Sequence, residues 1–393
     1  MRVAYVCADS GIPVFGQKGC SIHIQEVIRS LLQKNIRISL FTNRLGDEIP
    51  ADFQEVEVYQ LPTIPKVERA VKERIALSIN SDLELELNLA ERFDFIYERY
   101  SLWSYSAMEY AQQNGIPGIL EVNAPLILEQ DKHRGLVDRE QAEAVAKRVF
   151  QAATVIIAVS REVKDYVSQY VTDKHKIQVI PNGVNPQRFP HSLSGINKPS
   201  SKEFTVGFVG SLKPWHGLPI LLDSFDRFHR NHPNTRLLIV GDGTERDRLL
   251  EDIATRNLDS AVQLTGAVPP ETVPHWLAQM DVAVAPYPAS EDFYFSPLKV
   301  YEYMAAGLPV VASNIGQIPE VIEHGVNGLL TPPGDVLALE EALDRLWRLP
   351  SLRLCLGDCA REKILQHHTW ERVVEQILFL AKSKQRQIIK GIQ

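Results

Sequence analysis

Short apolar runs alternate with stretches of helical periodicity along the whole chain, the pattern of parallel strands covered by helices on both faces. Residues 3–7, 36–42, 95–97, 119–122 and 155–159 read as strands, and 21–34 as a helix between the first two. The stretch 67–92 is helical, highly charged and free of glycine and proline; its ordinary role is a solvated face. After a strand at 177–180 and Pro181-Asn-Gly-Val-Asn185, residues 186–203 turn rich in Pro, Ser, Asn and Lys, the composition of a linker. A second alternation follows: strands at 205–209, 236–240, 262–264 and 282–285, helices at 218–229, 245–255 and 273–280, and a last helix at 370–384. The pattern predicts an α/β fold of two doubly wound Rossmann-like domains, 1–185 and 204–368, joined by the linker 186–203. The terminal helix within 369–393 is expected to pack back toward the first domain. Two such domains create an interdomain cleft, and ligands of such sheets bind beyond the carboxyl ends of the strands.

Length and composition agree with this. The chain has 393 residues, 45% apolar and 23% charged, enough for two cores. A net charge of -7 argues against a nucleic-acid partner, which dense Lys and Arg clusters would hold. Cys7, Cys20, Cys355 and Cys359 lack metal-ligand spacing; Cys355 and Cys359 share a helical face, where burial is expected. Polar Asp9 and Ser10 cut the first apolar run too early for a signal segment, and no run approaches the roughly 18 apolar residues of a membrane span, so a cytoplasmic location is expected. Lys66, Arg69, Lys72 and Arg74, with the basic tail beginning at Lys382, leave peripheral membrane contact open.

The densest chemistry lies at residues 296–313. Ser296 can cap a helix, Pro297 fits its first turn, and Gly307 with Pro309 ends it before a strand. Unpaired N–H groups near Leu298 and Lys299 favour an anion, and Glu302, one turn further in, suits paired hydroxyls. Three glycine loops follow strand ends. Gly16, Gly19, Ser21 and His23 follow the first strand and Asp9, without the Gly-x-Gly-x-x-Gly fingerprint. Gly210, Ser211, Lys213, His216 and Gly217 surround the second domain's first strand end, and Gly241 with Asp242 the next. Each serves equally as an ordinary strand-to-helix turn, and Lys213 as a solvated lysine. His23 is a candidate for orienting substrate or moving a proton, or a structural histidine. Glu121 and Asn123 are expected to face the cleft and an acceptor, or to cap their loop; Glu98, Arg99 and Tyr100 follow another strand, where an internal ion pair is the alternative.

In order and spacing, these segments resemble the retaining family 4 glycosyltransferases of the two-domain GT-B type. The resemblance extends through Ala158-Val-Ser160, residues 181–185, 240–243, 281–287, 296–313, 316–320, 325–328 and 333–335, nearly the whole chain. It implies a donor, a nucleotide diphosphate sugar, held by the second domain, and a small-molecule, glycan or lipid-linked acceptor held by the first. UDP-sugar is favoured over GDP-sugar. No separate cofactor and no essential metal are implied. His23, Lys213 and Glu302 take catalytic roles; Val268 lies where the base is expected; Asp9, Arg99, Glu121, Asn123 and Tyr294 contact acceptor or sugar.

Two departures stand out. The family's Glu-x7-Glu pair has Glu302 as its second member, but Tyr294 occupies the first position, with Glu291 nearby as a substitute. Ser211 and His216 stand where the family carries Arg and Lys, leaving Lys213 and Lys299 as replacements for phosphate charge. A nucleotide-sugar epimerase of the same architecture and a non-catalytic nucleotide-sugar-binding subunit remain alternatives.

Overall fold

The computed structural model describes residues 1–46, 48–189, 203–290, 293, 294 and 296–392. Most of the expected linker and Glu291 lie outside them. The chain divides into two compact units: Met1–Asn182 with Trp370–Gln393, and Gly183–Thr369.

The first unit contains β1 (Arg2–Cys7), α1 (Gly19–Gln33), β2 (Arg37–Thr42), β3 (Glu57–Gln60), α2 (Arg69–Leu89), β4 (Phe95–Arg99) and α3 (Ser106–Gln113). It continues through β5 (Gly118–Val122), α4 (Leu126–His133), α5 (Arg139–Ala152), β6 (Val155–Ala158), α6 (Arg161–Val167) and β7 (Ile177–Val179). Among the described residues its sheet runs β3-β2-β1-β4-β5-β6-β7, parallel throughout. The order reverses direction between β1 and β4, the switch point where a crevice forms. The edge strand β3 escapes the apolar pattern because all four of its residues are exposed or half-buried. In contrast β4 and β5 are buried along their full length, which carries Glu98, Arg99 and Glu121 into the interior.

The second unit contains β8 (Phe204–Val209), α7 (Leu218–Asn231), β9 (Thr235–Val240), α8 (Arg246–Thr255), β10 (Val262–Leu264), α9 (Val273–Leu277) and β11 (Val282–Ala285). Then come α10 (Leu298–Ala305), β12 (Val310–Ser313), α11 (Ile318–Val321), β13 (Leu329–Thr331), α12 (Val336–Arg348) and α13 (Pro350–His367). Its described strands order as β10-β9-β8-β11-β12-β13, with the switch between β8 and β11. The last helix, α14 (Trp370–Ile392), belongs to the first unit and runs beyond residue 384, the end expected from periodicity. It packs on α1: Lys34 Nζ reaches Glu371 and Glu375 at 2.9 and 3.0 Å, and Trp370 is buried against His23 with ring centroids 4.7 Å apart.

One local expectation needs correction. Cys355 is exposed and Cys359 half-buried, because the face of α13 that packs inward carries Leu356, Ala360 and Ile364 instead. Among the described residues no helix is long and apolar enough to cross a membrane.

Candidate functional site

The second unit places its glycine loops at the β8/β11 switch point. Gly210 lies at φ +150° directly after β8, and Gly241 at φ +141° directly after β9. The two backbones cross so closely that a Cβ on Gly241 would collide with the Gly210 carbonyl. Gly210 N–H donates to Val240 O at 2.9 Å, and Leu212 N–H to Asp242 O at 3.0 Å, so the crossing is locked by backbone alone.

Helix α10 is fixed to the same spot by Tyr303, whose hydroxyl accepts from Val209 N–H at 2.7 Å and donates to Val209 O at 3.0 Å. Contrary to expectation, the N-cap position of α10 does not fall on Ser296. Pro297 holds the N-cap position and its carbonyl accepts from Val300 N–H at 2.9 Å, while the Ser296 hydroxyl bonds toward Tyr301. The first N–H groups of the helix are therefore those of Leu298 and Lys299, as expected for an anion site.

Lys299 is the most informative residue of this region. Its stem is partly exposed, but its Nζ is buried, has no hydrogen-bond partner among the described residues and lies over the Phe208 ring at 4.4 Å and the Tyr287 ring at 5.4 Å. A Cβ on Gly210 would stand 3.0 Å from that nitrogen. Burial pushes the ammonium down to about 7, against the opposing pull of Glu302. Cation–π contact with two rings offsets part of this cost, yet among the described residues the charge lacks an anionic partner at bonding distance.

His216 packs against Phe208 and Tyr287, and its Nδ1–H donates to Ser211 O. Burial, with the charges of Lys299 and Lys213, holds it down to about 3. It is therefore neutral near pH 7 and staples the loop rather than supplying phosphate charge. Gly217, at φ +68°, closes the loop where any side chain would strike the Pro286 carbonyl. Lys213 is half-buried at the start of the Pro214–His216 turn, and the Ser211 and Asp242 side chains are exposed. Asp242 Oδ1 accepts from Gly243 N–H at 2.7 Å and does not cap α8, whose N-cap position is Glu245.

One turn into α10, Glu302 Oε1 lies 3.4 Å from Arg188 Nη1, whose Nη2 donates to Pro270 O at 2.8 Å. Arg188 was not singled out from sequence; it sits in the composition-poor stretch after Asn185 and carries no motif. Val268 is half-buried against the unit's core. Tyr294 is half-buried beside Phe293, which anchors its segment against Tyr287 at 4.8 Å.

In the first unit, His23, Arg99 and Glu121 come together from α1, β4 and β5. His23 Nε2 and Glu121 Oε1 are 2.8 Å apart, and Arg99 Nη1 lies 3.7 Å from Glu121 Oε2. Burial tends to raise the Glu121 carboxyl, but His23, Arg99 and Asn123 overcome it and hold it at about 2. Burial lowers His23. The consistent state is an ionised Glu121 beside Arg99, accepting Nε2–H from a neutral imidazole whose Nδ1 is then the acceptor.

Glu121 thus corrects the expectation of a cleft-facing acceptor ligand. It is 2% exposed, as is His23, because its strand is buried on both faces and its oxygens face partners within the unit. An ion pair between Glu98 and Arg99 does not form either. Successive strand positions point to opposite faces. Glu98 takes the Ser104 hydroxyl, and burial raises its carboxyl to about 7.

Of the β1–α1 loop, Ser21 is fully buried with its hydroxyl donated to Pro13 O at 2.6 Å, so it braces the loop. Gln25 joins it, donating to Val14 O and Gly16 O at 2.9 Å each. Gly16 is buried against Pro13, Gly19 is exposed at the start of α1, and Asp9 accepts from Gly11 N–H at 2.7 Å.

Residues 203–348 match the model described as glycosyl transferases group 1, and residues 18–188 that described as glycosyltransferase family 4. The chain is similar to glycogen synthase of Mycobacterium tuberculosis, 26% identical over 305 residues that cover 75% of this chain and 71% of that one. Among solved structures, sucrose-phosphate synthase from Thermosynechococcus elongatus superposes with a TM-score of 0.76 at 21% identity, covering both chains in full. Anabaena Alr3699/HepE in complex with UDP and glucose gives a TM-score of 0.72 at 21% identity, over 98% of this chain and 100% of that one. These likenesses show a two-domain Rossmann-like fold of the GT-B kind.

Proposed function

The chain belongs to the group 1, family 4 glycosyltransferases, and from that premise we propose that it transfers a hexose with retention from a nucleotide diphosphate sugar to a hydroxylated acceptor. The second unit, Gly183–Thr369, takes the donor, and the first, Met1–Asn182 with Trp370–Gln393, the acceptor. The observation that carries this is the buried ammonium of Lys299, unpartnered among the described residues, beside the Gly210 backbone and next to the first N–H groups of α10. A diphosphate is an anion of the right kind to satisfy all three.

Glu302, oriented by Arg188, then accepts from the ribose hydroxyls. The bond between the anomeric carbon and the phosphate oxygen breaks as the acceptor oxygen attacks from the same face. The acceptor proton passes to the leaving phosphate oxygen, so no protein nucleophile enters. Lys299, Lys213 and the helix start stabilise the charge that develops on the diphosphate. His23 orients the sugar or phosphate; Glu121 and Arg99 act as positioning residues that hold its ring. UDP is the favoured nucleotide, which a relative of the same fold solved with UDP and glucose supports. The positive groups named here suffice for the leaving group without a metal ion, so chelation with EDTA is expected to leave the rate unchanged.

Incubation of the full chain with UDP- and GDP-sugars, with and without hydroxylated acceptors, tests this. Release of nucleoside diphosphate that requires acceptor, with the anomeric configuration kept in the product by NMR, is the expected result. A rearranged sugar released without acceptor would replace transfer with epimerisation.

A further inference from the structure

The carboxyl edge of the first sheet holds a cavity of about 430 Å³, within the range of small-ligand sites. Its walls come from residues 8–11 after β1, 101–103 after β4, the first turns of α2, and α4. Three cations line it: Arg69 and Lys72 from α2, and Arg134 at the end of α4.

The carboxylates that face the same space are already engaged. Both oxygens of buried Glu73 accept backbone N–H groups, from Val137 and Asp138, at 3.0 Å each. Glu129 pairs with Arg134 at 3.0 Å, and Asp9 holds Gly11 N–H. Arg69 and Lys72 make no ion pair and no side-chain hydrogen bond among the described residues, so two positive charges stand uncompensated. Both side chains are exposed to the cavity mouth and solvent; the Arg69 guanidinium lies against Gly135, at φ +75°, where a Cβ would collide with it.

The cavity wall is braced from behind. Buried Asn80 of α2 donates to Trp103 O at 2.8 Å and accepts from Tyr105 and Ser106 N–H at 2.8 and 3.0 Å. Glu73 and Asn80 together tie the cation-bearing helix to the loop before α5 and to the Trp103 loop. The half-buried indole of Trp103 adds an aromatic face of the kind on which sugar rings rest.

We propose that this cavity is the acceptor subsite and that the acceptor is a small sugar or polyol carrying an oxyanion, phosphate or carboxylate. Arg69 and Lys72 hold the oxyanion, and Trp103 lies against the ring. The assignment rests on the glycosyltransfer reading for the word acceptor, but the binding chemistry stands on the cavity itself.

The test titrates the full chain with glucose, glucose 6-phosphate and glucuronate, and with inositol and inositol 1-phosphate, by calorimetry without nucleotide; UDP is titrated separately. At least one anionic compound is expected to bind about tenfold or more tighter than its neutral counterpart. The preference should weaken with salt and disappear in an Arg69→Gln, Lys72→Gln double variant. Phosphate binding above glucuronate assigns a phosphate, and the reverse a carboxylate. Equal binding of charged and neutral compounds, or a preference that survives the double variant, overturns the inference. Should the double variant not fold, Lys72→Met, which keeps the stem, is read in its place. Failure of UDP to bind, with the anion preference intact, refutes the donor reading and leaves the subsite standing.

Discussion

In the first unit a buried carboxylate, Glu121, stands between His23 and Arg99; in the second a buried ammonium, Lys299, stands between two aromatic rings with no anion among the described residues bonded to it. Both charges were carried inward by the same kind of element, a strand or helix beside a switch point. Their partners differ. A buried charge with its counter-charge present organises the fold, whereas one left without it weakens the free protein and gains on binding a ligand of opposite sign. The carboxyl held at about 2 and the ammonium held at about 7 express that difference.

The sharpest way to break the comparison is Lys299→Met. Removal of the charge is expected to cost about 100-fold in UDP affinity, measured by calorimetry, while raising the melting temperature of the ligand-free protein. A fall in both would make Lys299 structural. Glu121→Gln is expected to do the reverse, destabilising the chain by about 3 kcal/mol in urea unfolding, because Arg99 is left buried without its counter-charge. UDP affinity should fall far less in that variant than in Lys299→Met. Glu302→Gln is expected to lower UDP affinity about 10- to 30-fold, with 2′-deoxy-UDP affected far less than UDP, since a charged acceptor to ribose hydroxyls is lost.

The smallest effect is in pH. With a lysine lowered to about 7, diphosphate binds to the ammonium form, so UDP affinity should be flat below pH 7 and fall by up to about tenfold per unit above it. Lys299→Met should flatten that profile. For Glu121 the sign is opposite: its folded value lies below the unfolded value of about 4.3, so its contribution to stability is present above that pH and fades as pH falls toward 2.

Much of this was legible in the chain. Two rounds of apolar strands and periodic helices are local signals, and α10 carries Lys299 and Glu302 three residues apart on one face. What was not legible depended on distance along the chain or on absent chemistry. His23 and Glu121 are 98 residues apart, and nothing in either neighbourhood announces the other. Tyr303, which pins α10 to β8 through Val209, reads as an apolar core position until its hydroxyl is seen. Ser296 has the side chain of a cap, but Pro297 takes the capping place. Arg188 and β3 lie where pattern is weakest.

The placement of α14 governs the order in which this chain can mature. The second unit begins and ends at adjoining points, with Val184 N–H donating to His368 O at 2.9 Å, so it forms an insertion closed on itself. The first unit is thereby interrupted: Trp370, which covers His23, is made only after the entire insertion. On the ribosome the later-made unit is complete first, and His23 acquires its aromatic wall only as α14 emerges.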